Sequence, residues 1–122
     1  MKQILVIDDE PDILKLISKI LEKAGYKVMT AENGRLADKL FNEHPFDLVI
    51  TDIVMPQKEG LEIILQLKEN SPDTKILAIS GGGKIEFAEY LDAARATGAH
   101  AIVKKPFEIS HLLNKVEQLL NS

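Results

Sequence analysis

The chain has 122 residues, 45% of them apolar and 28% charged, with a formal net charge of -4. That is the size and balance of one soluble domain able to bury a core, and its negative charge speaks against a nucleic-acid surface of its own. The absence of cysteine excludes disulfides, thiolate metal sites and a cysteine nucleophile.

Ile4-Leu5-Val6-Ile7 is a short, continuous apolar run, the mark of a strand buried on both faces, and it ends in Asp8-Asp9-Glu10. No secretory pattern accompanies it, and no run approaches the roughly 18 apolar residues of a membrane span, so a cytoplasmic location and no membrane contact are expected. Ile13, Leu16, Ile17, Ile20, Leu21 and Ala24 recur at helical spacing, with Pro11 at a tolerated first turn and Gly25 as a stop. Residues 26–30 predict a second strand. Leu36, Ala37, Leu40 and Phe41 then stripe a second helix, with Asn33 as its cap.

Leu48 to Thr51 predicts a third strand, followed by Asp52. Leu61, Ile64, Leu65 and Lys68 stripe a third helix. Ile76 to Ile79 predicts a fourth strand, followed by Ser80 and the permissive run Gly81-Gly82-Gly83. Phe87, Ala88, Leu91 and Ala94 mark a fourth helix, ended by Gly98. Ala101 to Val103 predicts a fifth strand, with Lys105 beyond it. Leu112, Leu113, Val116, Leu119 and Leu120 stripe the fifth helix.

Strand and helix alternate five times, which implies an α/β fold with a parallel sheet and helices on both faces. No composition shift marks a second domain, so residues 1–122 are expected to be a single domain with no output domain attached. The polar residues fall at the carboxyl ends of strands, where open α/β sheets bind ligands. Five strands can be ordered in several ways; in one of them, the flavodoxin-like order 2-1-3-4-5, strands one and three are neighbours at the switch point, which would bring Asp8, Asp9 and Asp52 together. Pooled carboxylates repel unless neutralised, and a hard divalent cation with oxygen ligands, Mg²⁺ (or Mn²⁺), does this. Three carboxylates, one such ion and Lys105 sum to zero charge. A carboxylate can attack phosphorus to give an acyl phosphate, and the metal and Lys105 would stabilise the transition-state charge.

At Asp8-Asp9, at Asp52-Ile53-Val54-Met55-Pro56 with Gly60 following, at Ser80 and at Lys105-Pro106-Phe107, the sequence resembles the CheY-like receiver domains of two-component response regulators. The resemblance covers essentially the whole chain, in order and spacing. It implies that Asp52 is the phosphoacceptor, Asp9 the direct metal ligand and Asp8 its more water-mediated companion. It implies further that Asp52 and the Val54 backbone carbonyl complete the metal's protein ligands. It also implies that Ser80 is the switch hydroxyl, that Lys105 pairs with the phosphoryl group and that Pro106 follows a cis peptide.

The donor so implied is a histidine kinase or phosphotransfer protein. A downstream protein target would dock on the face of the fourth helix, fifth strand and fifth helix, where Glu86, Glu89, Tyr90, Lys104, Glu108 and His111 are expected to be exposed. The chain would be a monomer or a weak, phosphorylation-dependent dimer, and a switch rather than an enzyme, catalysing only its own phosphoryl transfer and slow self-dephosphorylation. Slow loss is expected because Val54 and Gly82 offer no polar group to orient water. The family often has an aromatic residue where Ile102 stands here, so the readout is expected to pass instead through Ser80 and the triple-glycine loop.

Two other classes compete. A phosphohydrolase with an aspartyl-phosphate intermediate generally needs an acid two residues after its nucleophile; here that residue is Val54. A phosphate-independent adaptor would not need Asp8, Asp9, Asp52 and Lys105 together. His44, His100 and His111 are scattered and are expected to be surface residues.

Overall fold

A computed structural model describes residues 2–52, 59–80, 98–105 and 107–121, and for 59–64 and 80 it describes the backbone alone. Strands β1 (Gln3–Ile7), β2 (Lys27–Ala31), β3 (Leu48–Asp52), β4 (Lys75–Ser80) and β5 (Ala101–Lys104) form one sheet of order β2-β1-β3-β4-β5. All four pairings are parallel. Helices α1 (Pro11–Lys23), α2 (Gly34–Glu43) and α3 (Glu59–Asn70) and a C-terminal helix (Ile109–Leu120) are described. The expected fourth helix lies outside the described residues.

Alternation along the strands divides the core into two layers. Ile4, Val6, Leu48, Ile50, Leu77, Ile79 and Val103 face α1 and the C-terminal helix, meeting Leu14, Ile17, Leu21, Leu112 and Val116. Leu5, Ile7, Val49, Ile76 and Ala78 face the other way, meeting Ala37, Phe46 and Leu67. The middles of the central strands are apolar because both faces are covered. Phe107, Leu113, Leu119 and Leu120 pack partly buried against the first layer, as core residues.

Two helix stripes sit differently from expectation. On α1 the core residue is Leu14, 5% exposed, whereas Leu16 is 45% exposed. Leu14 lies roughly 60° around the helix from Ile17 and Leu16 roughly 100°, so Leu14, Ile17 and Leu21 form the buried seam. On α3 Leu67 is buried and Leu65 exposed, for the same reason of angular position. The expected positions Leu61 and Ile64 have side chains outside the described set.

The helix ends follow the sequence. Pro11 occupies the first turn of α1, and Gly25 after it has φ +96°. Asn33 Oδ1 accepts from the Leu36 N–H at 2.9 Å, capping α2.

β3 and β4 each run one residue past the expected carboxyl end, so Asp52 and Ser80 are their last residues rather than the first beyond them. This matters for the site, because a strand fixes the backbone from which Asp52 projects.

Candidate functional site

β1 and β3 are neighbours, with Ile7 opposite Thr51. Asp8, just after β1, and Asp52, the end of β3, therefore stand side by side at one end of the sheet. Both are almost fully buried, at 1% and 2% exposure. An isolated carboxylate so placed would be costly. Lys105, just beyond β5, answers both: its ammonium donates to Asp8 Oδ2 and to Asp52 Oδ2, each at 2.9 Å. The same nitrogen lies 3.9 Å from a Glu10 carboxylate oxygen.

Burial by itself would lower the Lys105 pKa, but hydrogen bonds to Asp8 and Asp52 and their negative charge raise it above the ordinary lysine value. Lys105 is therefore firmly protonated at neutral pH. One cation between two buried carboxylates leaves the pocket net negative, before Asp9 and Glu10 are counted.

Asp8 Oδ1 accepts from the Glu10 N–H at 2.9 Å, which fixes the turn leading into α1. Asp9 and Glu10 are exposed at the rim. Asp8, Asp9 and Glu10 can each bring a carboxylate oxygen within 4.8 Å of the others. An all-oxygen donor set in a net negative pocket fits a hard cation such as Mg²⁺. In this geometry Glu10 completes the cluster, while Asp52 is joined to Asp8 through Lys105. Glu10 is not among the site residues expected from the sequence, although its place in the acidic run Asp8-Asp9-Glu10 is a signal for it.

Ser80 ends β4 in register with Lys104, which sets its backbone at the same end of the sheet; its side chain is outside the described set. Val54, Pro106, Gly81 to Gly83, Glu86, Glu89 and Tyr90 also lie outside the described residues. Ile102 is partly buried against the α2–α3 layer. His100 is exposed, as expected, yet its ring accepts a backbone hydrogen bond at the opposite end of the sheet.

Comparison with known proteins decides the family. The model of the response regulator receiver domain matches residues 4–117. The chain belongs to that family. It is 38% identical over 120 residues to the response regulator receiver protein CpdR of Brucella abortus, covering 98% of each chain. It is 33% identical to the chemotaxis protein CheY of Bacillus subtilis, again over 98% of each. Among solved structures, the response regulator protein TrrA of Thermotoga maritima, in complex with Mg²⁺ and beryllofluoride, superposes with a TM-score of 0.83 at 38% identity. That match covers 98% of this chain and 99% of TrrA. The doubly wound sheet of order 2-1-3-4-5 is that of CheY-like receiver domains. This receiver domain is thus a part of two-component signalling, in which such domains act as switches rather than as true enzymes. No described helix is long and apolar enough to cross a membrane.

Proposed function

We propose that this receiver is switched by phosphorylation of Asp52 by a phosphohistidine donor, a histidine kinase or phosphotransfer protein. The observation that carries the reading is the Lys105 ammonium held 2.9 Å from both buried carboxylates. An Asp52 oxygen attacks phosphorus, the donor's P–N bond breaks, and the leaving imidazole keeps the electron pair and takes a proton. Lys105 is a fixed positive charge beside the oxygens that gain negative charge during transfer. Asp8 holds that ammonium in place and orients the turn carrying Asp9 and Glu10.

Asp8 and Asp9, with Asp52 and the Val54 carbonyl, would hold Mg²⁺ (or Mn²⁺), which supplies charge neutralisation for phosphoryl transfer. The solved TrrA complex with Mg²⁺ and beryllofluoride supports this by similarity. Ser80 is the hydroxyl that follows the phosphoryl group, and the altered face is that of the segment before β5, β5 and the C-terminal helix, where a protein target binds. Slow self-dephosphorylation follows from Val54 and Gly82.

Beryllofluoride, a phosphoryl mimic, tests the reading. With Mg²⁺ it should shift the amide NMR signals of Asp52 and Lys105 and those of β5, and it should leave Asp52→Asn unchanged. An equal response from Asp52→Asn would refute the assignment.

A further inference from the structure

A second polar cluster lies at the opposite end of the sheet, where α3 ends and β4 and β5 begin. His100 precedes β5, and its backbone N–H donates to the Ile76 carbonyl at 2.9 Å. Its ring continues the pairing, because Nδ1 accepts from the Ile76 N–H at 3.0 Å. A neutral imidazole has one acceptor nitrogen. With Nδ1 committed to the backbone amide, Nε2 carries the proton and can only donate.

Yet the group facing Nε2, at 3.4 Å, is the Lys68 ammonium, which is also only a donor. Two donors confront each other at a separation that one acceptor atom could bridge. The Lys68 side chain is set there by packing. Gly98 has φ +109°, and a Cβ on it would fall 2.4 Å from Lys68 Cε and 2.8 Å from Lys68 Cγ. Glycine at 98 therefore makes room for the lysine stem to lie across the backbone toward His100.

Lys75, the residue before Ile76 in β4, adds a second positive charge near the His100 ring. Among the described residues no carboxylate oxygen lies within 4.0 Å of the Lys68 or Lys75 ammonium. Asp47, whose carbonyl accepts from the Lys75 N–H, directs its own carboxylate to the Gln3 N–H.

We infer that Lys68 and His100 form a binding site for a small dianionic oxyanion, placed at the end of the sheet away from Asp52. An oxygen of the anion accepts from His100 Nε2–H and from the Lys68 ammonium together, and Lys75 adds charge. The shared chemistry is that of free sulfate or phosphate and of the phosphate group on a small phosphorylated molecule. A monoanionic carboxylate meets the same donors with half the charge.

The test is an NMR titration of the three histidine rings at pH 7.5 and constant ionic strength, replacing sodium chloride with sodium sulfate, inorganic phosphate, glycerol phosphate or acetate. His44 and His111 serve as internal controls. The site predicts a saturable shift of the His100 ring signals, with a dissociation constant of about 1 mM, weaker with acetate and absent from the two controls. Tighter binding of glycerol phosphate than of phosphate would assign the site to phosphorylated small molecules, and equal binding to the free oxyanion. Lys68→Met keeps the apolar stem over Gly98 and removes the charge, and it should weaken sulfate by about tenfold. A His100 response no different from those of His44 and His111, one that survives Lys68→Met, or one in which acetate equals sulfate would overturn the inference.

Discussion

Lys105 Nζ lies 2.9 Å from Asp52 Oδ2, although 53 positions separate the two residues in the chain. The contact exists because β3 and β5 flank β4 in the same parallel sheet and all three end at the same level. It also sets a stability relationship. Lys105→Met would leave Asp8 and Asp52 buried without their shared cation, a change expected to cost about 3 kcal/mol. Urea denaturation in EDTA at pH 7 measures it. Adding Asp52→Asn to Lys105→Met should return part of the loss, so the two effects should not add. Simple additivity would show that the ion pair has little energetic meaning.

The register of α1 gives an independent test of the core. Leu14→Ala removes a buried side chain from the layer formed with Ile17 and Leu21, and should cost about 2–4 kcal/mol. Leu16→Ala, at an exposed position two residues away, should change stability by less than about 0.5 kcal/mol. Comparable losses for the two would place the buried seam elsewhere.

Asn33→Ala removes the one side-chain acceptor that caps the Leu36 N–H. The expected loss is about 1 kcal/mol, with little loss in Asn33→Asp, which keeps an acceptor oxygen. Thermal unfolding of both variants checks this.

His100 makes stability depend on mildly acidic pH. Desolvation of the ring against β4, then the charges of Lys68 and Lys75, lower its pKa from the ordinary 6.5. Protonation at Nδ1 would also destroy the bond from Ile76 N–H. The unfolded chain therefore takes up this proton at a higher pH than the folded one. The stability is complete above about 6.5 and declines as pH falls below it, levelling only beneath the lowered folded value. His100→Gln should flatten the stability profile between pH 7 and pH 5 relative to wild type. An unchanged slope would exclude His100 as its source.

Much of this was legible in the chain. Short apolar runs and helical stripes gave five strands in parallel, and the acids and lysine at strand ends gave Asp8, Asp52 and Lys105 as one constellation. What periodicity could not resolve was which edge of a broad apolar stripe turns inward. On α1 both Leu14 and Leu16 flank Ile17, and only packing against the sheet selects Leu14. Nor could it show that Lys105 bridges Asp8 as well as Asp52, since that depends on side-chain reach across β3 and β4. The role of His100 was hidden for a related reason. A lone histidine before a strand looks like any surface histidine until the Ile76 N–H of the neighbouring strand is seen donating to its ring.

The most direct measurement is intact mass after incubation with acetyl phosphate, with and without Mg²⁺, for the wild type and Asp52→Asn. One added phosphoryl group is expected on the wild type with Mg²⁺, and none without the ion or on Asp52→Asn. A phosphoryl group on Asp52→Asn, or no addition to a wild type that also fails to bind beryllofluoride, would contradict Asp52 as the phosphoacceptor.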